Sequence, residues 1–330
     1  MQAQEYALAK WAIGQRARSL VDGDLDRALE DGSIVRTHVL RPTWHFVARD
    51  DLRWLLALTG PRVRRSIERR FRDLGLDQRT LSRCETAIMS SLEGGNRLTR
   101  NEIAGVLDDT KIDRSGQRLP FILLHCELGT LICSGGLSGK QHTYALVDER
   151  FPKAKPFDRD EALAELARRY LAGHGPATVQ DLRWWSSLTL ADIRTALGML
   201  GSDAVSEEFD GVTFWWPADS VRDPRSGGGL QLLHAFDELI VGYTQSRFFG
   251  DPSAELAREA WQKRGAPNGV VLDNARIAGL WRRSVKRDSI VVEAFLFEKE
   301  TPKLRRELEA AVNQHGRFHG TEASVETTLL

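Results

Sequence analysis

The side chains that could do chemistry fall into four clusters. Gln2-Ala3-Gln4 and Thr43-Trp44-His45 each set two hydrogen-bonding groups two residues apart. In a strand such a pair shares one face, so Thr43 and His45 point together and Trp44 points to the core. Taken alone, each tripeptide also reads as a pair of solvated polar residues. The third cluster is PRVRRSIERRFR, residues 61–72, where Arg62, Arg64, Arg65, Arg69, Arg70 and Arg72 face a single Glu68. On one continuous helix Arg62, Arg65, Arg69 and Arg72 share a face. That face would either contact phosphates or lie in solvent among salt bridges. The fourth cluster, Arg282-Arg283 and Lys286-Arg287, follows an apolar strand and spans its turn. A hairpin there would carry cations to a nucleic-acid backbone.

Other chemistries find little footing. Cys84, Cys126 and Cys133 lack metal-type spacing, and the last two sit in the apolar run FILLHCELGTLICSG, so they read as buried thiols in a reducing compartment. No His/Cys/Asp/Glu cluster has ligand spacing and no Gly-rich loop opens a helix after a strand, so neither metal nor cofactor is expected. His125, alone on an apolar helix, reads as a satisfied core residue. Trp184, Trp185, Trp215 and Trp216 are expected to pack rather than to stack on bases.

The elements that must hold these clusters recur. Helical spacing over 5–20 is followed by a short helix at 24–31 and two β-rich runs, 34–40 and 43–47. Helix, helix, hairpin is the order of a winged helix. A second round has helices at 81–92, from Thr99, and at 119–128, with strands 131–134 and 143–146. A third has helices over 158–171, 178–185 and 189–200, then strands 205–209 and 212–216. The predicted fold is α+β, mainly α: tandem winged-helix (helix-turn-helix) repeats in a C shape, with units 1–76, 77–156 and 157–220. The segment 221–330 should be β-rich. It opens on a Gly-rich linker at 222–229 and a strand-like run over 231–243. Strands 270–272, 277–282 and 290–295 and a closing helix at 304–315 follow, and the last ten residues read as a loose polar tail.

Net charge is zero, 46 Lys and Arg against 46 Asp and Glu. Its distribution is polarised. Residues 1–75 carry +4, residues 276–306 carry +5 and residues 158–223 carry −6. Basic ends around an acidic middle suit a protein that meets phosphate on one face. No apolar run approaches the ~20 residues of a membrane span and no signal core opens the chain, so a cytoplasmic, nucleoid-associated protein is expected.

Over nearly its whole length the chain resembles the AlkZ-like winged-helix family of bacterial DNA glycosylases. The resemblance rests on QAQEYALAKWAIG, DRALEDGSIVRTHVLRPTWHFV, DDLRWLLAL, GPATVQDLRWWSSLTLADIR, AFDELIVGY and VVLDNARIAGLWRR. It implies a C-shaped array of winged helices with DNA on the concave side, and N7-alkylated guanine, in some members as an interstrand crosslink, as substrate. The family's Gln-x-Gln is Gln2-Ala3-Gln4 here and its Thr-x-His is Thr43-Trp44-His45. Glutamine is neither a strong acid nor a strong base. An N7-alkylated guanine is already cationic, however, and leaves without protonation. The protein then has only to hold a water near C1′ and favour the developing oxocarbenium charge.

The resemblance thus makes Gln4 the group that orients the water and Gln2 its support or a contact to the sugar. His45 would sit at the DNA backbone or gap, fixed by the Thr43 hydroxyl. Arg247 matches an arginine of the family segment. The expected partner is double-stranded DNA, alkylated or crosslinked, met by a monomer. Family members carry about a helix and a loop ahead of the Gln-x-Gln, so an upstream extension is expected to anchor the motif. The competing expectation is a winged-helix DNA-binding protein or regulator without catalysis.

Overall fold

The computed structural model describes residues 1–330 apart from 18, 152–156, 221–228 and 265–267. The chain opens with α1 (Tyr6–Arg16), α2 (Asp22–Glu30), the hairpin β1 (Ile34–Val39) and β2 (Arg41–Ala48), then α3 (Leu52–Ser66) and α4 (Glu68–Asp73). Next come α5 (Gln78–Leu92), β3 (Leu98–Thr99), α6 (Arg100–Asp109), α7 (Arg118–Leu128), β4 (Ile132–Ser138), β5 (Gln141–Leu146) and α8 (Val147–Arg150). A third run has α9 (Arg159–His174), α10 (Val179–Ser186), α11 (Leu190–Leu200), β6 (Ala204–Phe209) and β7 (Val212–Pro217). The remainder is β8 (Leu230–His234), α12 (Glu238–Val241), α13 (Ala254–Arg264), β9 (Gly269–Asp273), β10 (Arg276–Val285), β11 (Ser289–Leu296), α14 (Pro302–His319) and β12 (Glu322–Leu329). The fold is α+β, as the sequence predicts, with helices and short hairpins giving way to a five-stranded C-terminal sheet.

Local chemistry sets the helix starts. Thr99 with Glu102, Asp158 with Glu161, Thr178 with Asp181 and Thr189 with Asp192 form reciprocal capping boxes at α6, α9, α10 and α11. Asp77 caps α5 through the Thr80 amide, and Thr301 caps α14 ahead of Pro302. Much of the acidic excess of 158–223 is therefore committed to helix N-termini, where carboxylates complement the unpaired N–H groups.

The core does not divide where the repeats do. One cluster joins Val35, Val39, Leu52, Leu56 and Val63 with Leu163, Leu166, Tyr170, Ile193 and Leu197, so the first and third runs share an interior. The second run keeps its own cluster around Ile88, Ile103, Leu107 and Ile122. Helix α1 bridges two cores, with Ala9 packed against Leu29 and Phe46 of the first run. Leu8 and Trp11 pack with Trp281, Val292, Leu308 and Phe318 on one face of the C-terminal sheet. The other face holds Ile240, Ala257, Val270 and Phe295.

Three expectations need correction. The last residues are not loose: β12 pairs in parallel with β11 from Ser289/Glu322 to Leu296/Leu329. Its alternating half-buried pattern sets Ala323 and Val325 on the core and polar residues outside, and the outer face alone read as a tail. The run 231–243 is a strand only to His234, where Asp237 then caps α12 through the Leu239 amide. The basic stretch 61–72 is not one helix but breaks at Ile67, and its arginines do not form one face: Arg62 lines one cavity, while Arg65 and Arg72 line another groove. The Gly-rich linker lies outside the described residues except for Gly229.

Candidate active site

The first three residues run along β2. Phe46 N–H donates to Met1 O at 2.8 Å and Ala3 N–H to Trp44 O at 2.6 Å. Gln2 therefore lies opposite His45, and the two tripeptides meet although some forty residues separate them. Buried Arg36 supports this strand. Its Nε donates to Ala3 O at 3.1 Å, and its guanidinium lies 4.2 Å from the Trp44 ring centre.

Gln2 is buried and fully oriented. Its backbone N–H donates to Glu238 Oε1 at 3.0 Å, and its side-chain oxygen accepts from Arg41 at 3.1 Å. Arg41 has no acceptor to offer, so the Gln2 amide cannot flip. The other Arg41 nitrogen donates to Val241 O at 2.7 Å. His45 is fully buried behind this pair and not at an open gap. Its Nδ1 lies 2.9 Å from Thr43 O, which can only accept, so Nδ1 carries the proton and Nε2 turns a lone pair toward Arg41 at 3.5 Å. Burial, then the Met1 ammonium and Arg41, hold this imidazole well below its ordinary pKa, in the neutral form. The anchor of His45 is thus the Thr43 carbonyl and not its hydroxyl, which is buried without a partner among the described residues. Gln4 is exposed.

A cavity of about 920 Å³ opens beside Gln2. Arg41 and Thr43 on β2 and Arg62 on α3 form one side. Gln180, Arg183 and Trp184 on α10, Phe236 and the loop residues Thr244 and Gln245 complete it. Three carboxylates tie these pieces together, and sequence reading assigned a role to none of them. Asp181 is fully buried. Besides capping α10 it accepts from the amides of Thr244, Gln245 and Ser246 at 2.7, 2.7 and 3.2 Å and from the Ser246 hydroxyl at 2.7 Å. Burial works against its ionisation, but the Thr178 and Ser246 hydrogen bonds prevail and lower its pKa. Asp237 takes Arg16 in a two-pronged contact at 2.9 and 2.7 Å.

Glu238 receives Trp185 Nε1–H at 2.9 Å and lies 3.2 Å from His174 Nε2. Burial opposes its charge, yet the Met1 ammonium and His174 outweigh that and hold the carboxyl well below its usual range. The Thr-x-x-Asp spacing marks Asp181 as a cap. Nothing local marks the second strand of its duties.

The expected DNA-contacting cations separate. Arg62 lines the cavity, with Nε buried and unpartnered among the described residues. Arg65 and Arg72, with Arg64, line a second groove of about 530 Å³ near His125, and Arg72 pairs with Glu68 at 3.3 Å. Arg69 is exposed. Arg247 is exposed and folds back on Tyr243 O at 3.1 and 2.6 Å. Arg282 pairs with Glu293 at 3.0 and 2.6 Å. Arg283 does not face outward: its guanidinium donates to His315 and His319 Nε2 at 2.9 and 2.7 Å beneath the sheet. Lys286 and Arg287 are exposed at the β10–β11 turn.

Trp184 corrects the packing expectation, since it is 49% exposed, whereas Trp185 and Trp215 pack against the shared core and Trp216 is buried. His125 is buried against Glu85 at 2.6 Å, and all three cysteines are buried and free, burial pushing the Cys133 thiol up to about 12. Among the described residues no group of three His, Cys, Asp or Glu could hold a metal ion, and no helix is long and apolar enough to cross a membrane.

Comparison with known proteins shows the family and the fold. The family described as DNA glycosylase AlkZ-like matches residues 1–318. The interstrand DNA cross-link repair glycosylase of Streptomyces sahachiroi is 24% identical over 328 residues, covering 94% of this chain and 86% of that protein. The solved structure of Streptomyces sahachiroi DNA glycosylase AlkZ superposes with a TM-score of 0.78 at 21% identity, over 99% of this chain and 91% of that one.

Proposed function

The chain belongs to the AlkZ-like family of DNA glycosylases, and from that premise we propose that it releases N7-alkylated guanine from double-stranded DNA, with crosslinked guanine as a further substrate. The observation that carries this reading is the fixed Gln2 at the wall of a cation-lined cavity. A cationic base needs no acid to leave, and the cavity offers none in a protonated state, since Glu238 and Asp181 are held ionised.

In this reading Gln4, exposed beside the cavity strand, accepts from the attacking water. Gln2 has its oxygen occupied by Arg41, so it presents its two amide hydrogens to the sugar or the water. The Thr43 hydroxyl meets the substrate, and His45 acts from behind by setting Arg41. Arg62, Arg183 and the solvated cations Arg65, Arg69, Lys286 and Arg287 serve phosphates. We read the three helix-and-hairpin runs, near 1–76, 77–156 and 157–220, as winged-helix units, and the protein as a monomer on DNA.

The test is a duplex with one N7-methylguanine, scored for abasic sites. Gln4→Ala should lower release by about 10²–10³ with duplex binding nearly unchanged. Gln4→Glu should retain part of the activity, because a carboxylate still accepts from water. A Glu variant as inactive as Ala would make Gln4 a donor. No release by the intact protein would end the reading.

A further inference from the structure

The cavity that Gln2 lines also holds an aromatic that the hydrolytic reading leaves unused. Trp184 is 49% exposed at the end of α10. Its Nε1–H donates to Val241 O at 3.1 Å, which pins the indole by its polar edge. Val241 O is also the acceptor of Arg41, so the indole and the group that orients Gln2 hang on one carbonyl. The adjacent Trp185 is packed with Tyr170 and His174 at 5.1 and 5.5 Å, but among the described residues no ring lies against Trp184. Arg62 and Arg183 line the same cavity. Its volume of about 920 Å³ suits a nucleotide-sized ligand.

We propose that Trp184 is the stacking platform for the alkylated guanine, turned out of the duplex, with Arg62 and Arg183 on the flanking phosphates. This rests on the N7-alkylguanine reading above. Alkylation at N7 leaves the purine ring positive. The face of an indole is the negative end of its quadrupole, so a cationic purine gains an attraction there that neutral guanine lacks. The platform therefore selects the charge of the lesion and not only its shape. Arg41 does not cancel this, because its charge is opposed by Glu238 and its donors are taken by Gln2 and Val241.

The experiment measures binding without turnover. A duplex carrying 2′-fluoro-N7-methylguanosine, whose glycosidic bond resists cleavage, is compared with its unmodified twin by fluorescence anisotropy at fixed salt. The intact protein should prefer the lesion roughly tenfold. Trp184→Ala should lose about 5- to 100-fold in lesion affinity and bind both duplexes alike. Trp184→Phe should keep part of the preference, since its ring face is weaker. Circular dichroism and melting check that the variants fold. A Trp184→Ala protein with undiminished preference overturns the platform, as does an intact protein without preference. Excision of the unfluorinated lesion is scored in parallel. Excision without preference removes the platform alone, preference without excision removes the glycosylase reading alone, and loss of both removes both.

Discussion

Two antiparallel hairpins, β1–β2 and β10–β11, both carry basic side chains, and they treat them in opposite ways. In β1–β2 the polar groups are buried and held. Arg36 lies on Trp44, His38 pairs with Glu127, Arg41 joins Gln2 to Val241, and His45 is closed off behind them. In β10–β11 only Arg283 turns inward, while Arg282, Lys286 and Arg287 stay in water, beside a Val285 that is 67% exposed. Sequence spacing treats the two sets alike. Burial separates them: the first hairpin fixes geometry at one point, and the second leaves its charge in solvent at and beside its turn.

The largest effect should come from breaking the fixed set. Arg41→Ala frees the Gln2 amide to rotate and should reduce excision by about 10²–10³, read under single-turnover conditions, with nonspecific duplex affinity nearly kept. Arg41→Lys sharpens the point. A lysine cannot span Gln2 and Val241 as the guanidinium does, so it should resemble Ala and not the native protein. Near-native excision by the Lys variant would mean that charge, and not orientation, is what Arg41 supplies.

Acid should act on both regions through neutral imidazoles, His45 on β2 and His315 on α14, which holds Arg283 of β10. His45 and His315 are fully buried with pKa values below the ordinary one, His315 at about 2, from burial first and neighbouring cations next. The unfolded chain binds these protons near pH 6.5 and the native one does not. Stability is therefore complete above about pH 6.5 and falls as pH drops, by up to about 1.4 kcal/mol per pH unit for each imidazole. Urea midpoints between pH 7.5 and 5 measure it. A flat profile would show that the imidazoles titrate in place.

Removing the solvated set should cost less. Lys286→Ala with Arg287→Ala should weaken binding to all duplexes alike and lower the salt slope by up to about 2, leaving single-turnover excision of bound lesion unchanged. A change confined to lesion-bearing DNA would move this hairpin into the site. The smallest effect is at Thr43. Its hydroxyl is buried without a partner among the described residues. Thr43→Val should leave stability equal or up to about 1 kcal/mol higher, and should lower excision about tenfold if the hydroxyl meets substrate. Loss of stability on chemical denaturation would reveal a structural bond instead.

The sequence shows β1–β2 by its alternation and turn, and the meeting of Gln2 with His45 follows once the first strand is laid against it. The helix start at Thr99 is legible because its capping partner Glu102 is local. Glu238 and Asp181 were not, because their partners lie on the first residues, on α10 and in the 244–246 loop, brought together only by the shared core. Arg283 and Arg282 are adjacent in an RR pair, and only the pleat of β10 sends one inward. The tail failed for a related reason: β12 is half polar because it is an edge strand, and composition alone cannot tell an edge from a coil.

The placement of α1 has a consequence for synthesis. Gln2 and Arg16 flank a helix whose apolar face is covered by β8–β11 and α14, and whose ends are held by Glu238 and Asp237. A ribosome emits that helix more than 200 residues before its partners. At about 5–20 residues per second, the motif waits on the order of ten seconds or longer for the segment that fixes it. The nascent chain thus carries Gln2 beside Arg41 early, but gains Glu238, the sheet that covers α1 and the cations of the β10–β11 turn only late.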